Sequence, residues 1–430
     1  MFSETVPINI SMYELIATAT FGLEAVVRRE LEQIGYKVTR TEDGKVTFSG
    51  AVRAIVRANL WLRAADRVLI KMAEFQASES EELFQQVKGI AWESLIPPDG
   101  KFTVNCSTVR SKLRSEPNNQ KTVKKAIVDR LRAEYGIDRF PETGAEYTVK
   151  VTLLKDRATI TVDTTGEGLH KRGYRVAPIA APLKETLAAA MIELSFWHAD
   201  RVLIDPCCGS GTIPIEAALI GRNIAPGLKR TFASERWDLI PEEMWLEERE
   251  RARKEMKPDI IMDITACDID PKAVSAAKKN AAAAGVADTI RFRCADIKKS
   301  LMIDTEAGKP KRVAPVHIIG ANGKDIGAAV TSSGMLASAS DEAERELPDN
   351  GIIITNPVYG ERLGDQKQAD YVFAAVHDFM AARPDWSVFM ITPDKKTEEK
   401  TAGRRADRRR KLYNGNIEVC YYQFHGVKKK

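Results

Sequence analysis

Two short stretches carry residues whose types and spacing could do chemistry. The first is Asn356-Pro357-Val358-Tyr359, which follows the apolar run 351–355. Methylating an exocyclic amino group requires its nitrogen lone pair to be aimed at an electrophilic methyl. A side-chain amide oxygen (Asn356) and a backbone carbonyl (Pro357) can accept the two N–H bonds and hold that aim. No strong base is needed beforehand, because the nitrogen becomes acidic only as it acquires the methyl group. The gain is alignment and stabilisation of the developing ammonium. Tyr359 could stack on a base swung out of its helix. The same residues also suit an ordinary turn, since Asn-Pro is a common turn starter.

The second stretch is residues 201–219, RVLIDPCCGSGTIPIEAAL. It reads as a buried strand, a glycine turn and a helix from about Thr212. Such a turn lets the backbone approach a ligand and presents the first helical N–H groups to it. A dinucleotide fingerprint needs a third glycine where Pro214 stands, so a different ligand is indicated. Asp205 at the strand end could meet a cationic amine, such as that of S-adenosylmethionine (SAM). Cys207, Gly209, Gly211 and Thr212 complete the cradle, which taken alone is also compatible with any α/β loop.

Two further strand ends carry acids. Residues 267–270 read Cys-Asp-Ile-Asp, placing Asp268 where a ribose's two hydroxyls would be held, with Ile269 flanking an adenine. A strand at 290–294 ends in Ala295-Asp296, whose carboxylate could accept from an adenine amino group. A lone strand-end Asp is more often a helix N-cap. A series of three, at Asp205, Asp268 and Asp296, favours a cofactor site and draws Asn356 into it.

These elements must be positioned by a chain of 430 residues, enough for two or three domains. It is 44% hydrophobic and 29% charged, which fits a globular protein rather than a disordered one. No secretory leader and no run long enough for a membrane span is evident, and the six cysteines show no CxxC pair. That spacing argues for reduced thiols in the cytoplasm and against a metal site. Residues 1–75 read strand, helix (22–34), strand (46–48), helix (51–65), a small α+β unit. Residues 76–170 are again α+β, with strands at 102–106, 147–153 and 157–162. Between the first two lies a basic helix carrying Lys124 and Lys125, a solvated face or a phosphate contact. The stretch 163–175 adds Lys171 and Arg172. Residues 178–182 read as a linker, and 171–430 as an α/β domain with a helix at 241–257 inserted after the cradle. Residues 297–350 are weakly periodic and expected to be a flexible insertion. Six of the eight residues 404–411 are basic; Arg404, Arg405, Arg408 and Arg409 could grip phosphates from a loop ahead of a final strand at the sheet edge.

DPCCGSGT, CDID, CAD, NPVYGERLGD, RKLYNG and GEGLHKRGYR together resemble the bacterial RNA guanine-N2 methyltransferases that carry a THUMP domain. The match is to the N-terminal half of the bifunctional 23S rRNA enzyme and covers nearly the whole chain. The resemblance implies a Rossmann-like class I SAM-dependent sheet at 171–430, preceded by ferredoxin-like (1–75) and THUMP (76–170) domains. It further implies SAM as donor, and 23S rRNA or a large-subunit assembly intermediate as partner. Catalysis would fall at Asn356, Pro357 and Tyr359. Val358 departs from the family's Asn-Pro-Pro-Tyr. Two alternatives stay open. One is the same chemistry on tRNA or on DNA adenine. The other is a non-catalytic RNA-binding or ribosome-assembly protein.

Overall fold

The computed structural model describes residues 12–177, 182–302, 347–357 and 363–427. Val358, Tyr359, most of the 178–182 linker and residues 303–346 of the expected insertion lie outside them.

The N-terminal half comprises β1 (Tyr13–Ala19), α1 (Glu24–Gln33), β2 (Val38–Glu42), β3 (Lys45–Gly50), α2 (Val52–Trp61), β4 (Ala65–Gln76), α3 (Ser80–Lys88), β5 (Lys101–Val109), α4 (Glu116–Tyr135), β6 (Glu146–Leu154) and β7 (Arg157–Asp163). In α1, Val26, Val27, Glu30 and Leu31 are buried, the stripe expected of a helix lying on a sheet. The sequence reading places no strand at 65–76, yet β4 is the strand that unites this half. It pairs with β1 on one side and β7 on the other. All seven strands therefore form one sheet in the order β2-β3-β1-β4-β7-β6-β5.

The C-terminal half comprises α5 (Glu185–Leu194), β8 (Leu203–Asp205), α6 (Thr212–Gly221), α7 (Glu242–Lys254), β9 (Ile264–Asp268), α8 (Pro271–Ala284), β10 (Ile290–Cys294), α9 (Ile297–Ser300), β11 (Ile352–Thr355), α10 (Leu363–Ala382), β12 (Ser387–Thr392), α11 (Thr397–Thr401), β13 (Arg408–Asn414) and β14 (Ile417–Phe424). The strand order is β10-β9-β8-β11-β12-β14-β13. The first five are parallel, and β8 and β11 are buried along their length, as central parallel strands must be.

Three expectations are corrected here. The final strand, β14, is not at the sheet edge, because residues 408–414 form β13 outside it. Gly415, at φ +63°, lets a two-residue turn bring Asn414 opposite Ile417, and Leu412 is fully buried. The basic stretch is thus in part a strand rather than a loop. Residues 297–302, expected in the insertion, instead form α9 and its exit, with Ile297, Ser300 and Leu301 buried.

The halves share one apolar core running from Leu15 to Tyr421. Across the junction Tyr147 stacks on Trp237 with ring centroids 4.7 Å apart, and Arg53 reaches Glu247 and Glu248 at 2.8 and 3.0 Å. Arg410 of β13 donates to the Gly22 carbonyl at 2.9 Å.

Candidate active site at the strand-order reversal

The C-terminal sheet grows outward in both directions from β8 and β11, so its strand order reverses between them. In open α/β sheets ligands bind outside the carboxyl ends of the strands at such a point. Asp205 ends β8, and Asn356 and Pro357 follow β11. The two strands are tied together there, since Thr355 Oγ1 donates to Asp205 Oδ1 at 2.9 Å. The Cys207 N–H reaches the same oxygen at 3.2 Å. Asp205 is only 1% exposed, and burial pushes its carboxyl up to about 7. Asn356 Oδ1 is also buried, and it has no hydrogen-bond partner among the described residues. Orphaned buried acceptors are rare and call for an explanation.

The glycine turn is built tightly. Gly211 has φ +83°, and a Cβ there would lie 2.9 Å from the Ala277 Cβ, so α6 and α8 pack at a distance only glycine permits. The Gly209 N–H donates to Asp268 Oδ2 at 2.8 Å, which fastens the turn to the end of β9. The other carboxylate oxygen of Asp268 accepts the Asp270 N–H at 3.0 Å. Ile269 is 58% exposed beside it. Asp296 acts as the α9 N-cap: its Oδ1 accepts the Lys298 N–H and the Tyr371 hydroxyl, both at 2.9 Å. Thr212 opens α6. Cys207 is half-buried, and desolvation, then the charges of Asp205 and Asp268, hold its thiol well above the usual range. A thiol held protonated in this way is a poor nucleophile.

Sequence reasoning missed the residues that hold the cradle from behind. Arg175 donates to Ser210 Oγ at 3.0 Å and Thr212 Oγ1 at 3.2 Å, to the Leu183 carbonyl at 3.0 Å, and to Glu185 at 2.8 Å. Asn280 accepts the N–H groups of Val176 and Ala177 and donates to the Ser210 carbonyl at 3.1 Å. Thr355, directly before Asn356, joins them by its bond to Asp205.

The expected phosphate contacts divide. Lys124 and Lys125 are exposed on α4, over the rings of Phe102 and Phe84. Lys171, Arg404, Arg405, Arg408 and Arg409 are also exposed, with Lys171 paired to Glu167, Arg404 to Asp407 and Arg409 to Glu398. Arg172 is not available. It is 3% exposed, its guanidinium donates to the Leu169 and Arg63 carbonyls, and it lies 3.5 Å from buried Glu216. The basic stretch around it hid a buried ion pair whose partner lies far along the chain.

A doubly wound sheet with a glycine turn and acids at its strand ends is an architecture that binds nucleotide-containing cofactors. The chain belongs to the RMKL-like methyltransferase family, whose methyltransferase-domain model matches residues 172–307 and 320–423. An RlmL ferredoxin-like domain matches residues 14–69 and a THUMP domain residues 77–163. The chain is 42% identical to "Putative RNA methyltransferase YpsC" of Bacillus subtilis (strain 168), covering 96% of each chain. It is 32% identical to the ribosomal RNA large subunit methyltransferase K/L of Psychromonas ingrahamii, over 92% of this chain but only 48% of that protein. It thus spans about half the length of the K/L relatives. Among solved structures, SMU.472 complexed with SAH is 38% identical with a TM-score of 0.81, covering 97% of this chain and 99% of that one. A Listeria monocytogenes (str. 4b F2365) protein described as "a predicted N6-adenine-specific DNA methylase" is 40% identical, with a TM-score of 0.82 and 97% coverage of both chains. The protein is therefore a SAM-dependent RNA methyltransferase with a THUMP domain. No helix among its described residues is long and apolar enough to cross a membrane.

Proposed function

We propose that this protein methylates the exocyclic N2 amino group of a guanosine in 23S rRNA, in the cytoplasm. The observation that carries the reading is the buried, unpartnered Oδ1 of Asn356 at the strand-order reversal, beside the Asp205–Thr355 pair. An amide oxygen held dry and unsatisfied gains most from an N–H donor delivered by a substrate.

The residues present fit SAM. Asp205 is a desolvated carboxyl with no ion-pair partner among the described residues, and a ligand ammonium would restore its charge. Cys207, Gly209, Gly211 and Thr212 would line the methionine side. Asp268 would take the ribose, Ile269 the adenine face and Asp296 the adenine amino group. SAM bound there supplies an electrophilic methyl. The chain's own part is alignment: Asn356 Oδ1 and the Pro357 carbonyl accept the two N–H bonds of the target amine, leaving its lone pair aimed forward. Tyr359 would stack on the extruded base. As the nitrogen gains positive charge the two oxygens bind its protons more strongly, which is where transition-state stabilisation arises.

A THUMP domain and ribosomal-RNA relatives support RNA over DNA adenine, despite the description of the Listeria protein. The K/L relatives support large-subunit rRNA over tRNA. The test is transfer of labelled methyl from SAM to unmodified 23S rRNA, bulk tRNA and duplex DNA, followed by nucleoside analysis. N2-methylguanosine from 23S rRNA is expected. Label in tRNA, or N6-methyladenosine in any substrate, would replace this reading.

A further inference from the structure

A groove of about 1550 Å³ runs between the THUMP half and the methyltransferase half. Its walls come from Glu146 at the start of β6, from the stretch after β7 and the connection into α5, and from the insertion that carries α7. Small-molecule pockets span roughly 300–1,000 Å³, so this one suits a polymer segment better than a metabolite. Its carboxylates Glu146, Glu167, Glu185 and Glu235 are each taken up in ion pairs with Lys101, Lys171, Arg175 and Arg249. Lys184, Lys229, Arg230 and Arg236 also line it, and none of them has a carboxylate partner among the described ion pairs. Glu242 is the one remaining lining acid. Among the described residues the Arg230 guanidinium bonds to backbone carbonyls, at Glu167, Gly168 and Lys171, and its Nε is buried and unpartnered. It lies over Phe232, which stacks on Trp245 at 5.2 Å. Burial, followed by the nearby charge of Arg172, lowers Arg230 to about 10, and the carboxylates of Glu167 and Glu235 offset this only in part.

We infer that this groove carries the strand of RNA that delivers the target nucleotide, with phosphates on Lys184, Lys229, Arg230 and Arg236. Its position supports that occupant. Its lining includes Glu146 of the THUMP half and Arg175, which holds Ser210 and Thr212 of the cradle. The inference rests on the RNA-methyltransferase reading, but its test reads binding without turnover.

The decisive experiment compares wild type with the triple variant Lys184→Gln, Lys229→Gln, Arg236→Gln. Affinity for labelled oligouridylate and for unmodified 23S rRNA transcript is measured against salt. Each phosphate contact on a single strand contributes about 0.7 to the log–log slope, so three lost contacts should flatten it by about 2. SAM affinity and melting temperature should stay at wild-type values. A folded variant with the wild-type slope overturns the inference. Should the variant fail to fold, photocrosslinking of 4-thiouridine RNA to wild type decides. Crosslinks in peptides 168–184 and 228–246 support the groove, whereas crosslinks confined to α4 and the β13–β14 hairpin overturn it. Methyl transfer failing while the slope responds would remove the proposed chemistry and leave the groove. Transfer succeeding with an unresponsive slope would do the reverse.

Discussion

Replacing Asp205 with Asn separates the two consequences of burying a carboxyl at the end of β8, beside the glycine turn. The substitution keeps size and leaves Oδ1 to accept from Thr355 and the Cys207 N–H. What changes is the proton. The carboxyl titrates near 7 in the folded protein against an ordinary 3.8, with burial as the main cause. Between those values the folded state holds a proton that the unfolded chain has released, so stability falls as pH rises through that window. At about 1.4 kcal/mol per pH unit, the interval from 3.8 to about 7 sets a ceiling of about 4 kcal/mol on the cost of the ionised form. At pH 8 without SAM, Asp205→Asn should therefore be more stable than wild type, by up to about that amount. At pH 5 the difference should shrink to about 1.6 kcal/mol, because only the part of the window from 3.8 to 5 has been crossed. SAM should reverse the order at pH 8, since a ligand ammonium stabilises only the carboxylate. Urea unfolding at both pH values, with and without SAM, measures all four quantities. Superimposable pH profiles, or equal stabilisation of both proteins by SAM, would refute the reasoning.

Three further expectations follow from the same structure. Arg175→Gln removes the charged bonds to Ser210 and Thr212; at about 2 kcal/mol it should weaken SAM binding on the order of 30-fold by calorimetry, with kcat little changed. Gly211→Ala forces a Cβ into a left-handed position against Ala277, and should cost about 2–4 kcal/mol in urea unfolding. Arg172→Met strands buried Glu216 and should cost about 3–5 kcal/mol while leaving the salt dependence of RNA binding unchanged, as befits a structural cation.

The cradle and its strand ends were legible because their signals are local. The β8 strand, its glycine turn, α8 and β10 each declare themselves within a dozen residues, and Asp205, Asp268 and Asp296 all cap strands of one sheet. What escaped was settled by distant partners. The β4 strand mixes Lys71 and Glu74 into an apolar run, and they are neutralised by each other and by Glu14 and Arg157 on neighbouring strands. The β13 strand looks like a solvated basic loop until Lys411 meets Glu418 and Arg410 meets the Gly22 carbonyl. Arg172 and Arg175 stand three residues apart in one basic motif, yet one is buried against Glu216 and the other braces the cradle. Composition cannot separate them, because both roles require a guanidinium and differ only in what lies opposite.

The central claim is that Asn356 aligns the target amine rather than merely ending a strand. Single-turnover methyl transfer to unmodified 23S rRNA, with wild type beside Asn356→Ala and SAM affinity measured on both, tests it most directly. Loss of about 10²–10³-fold in rate with SAM affinity retained is the predicted result. A variant that transfers methyl within a few-fold of the wild-type rate would contradict it.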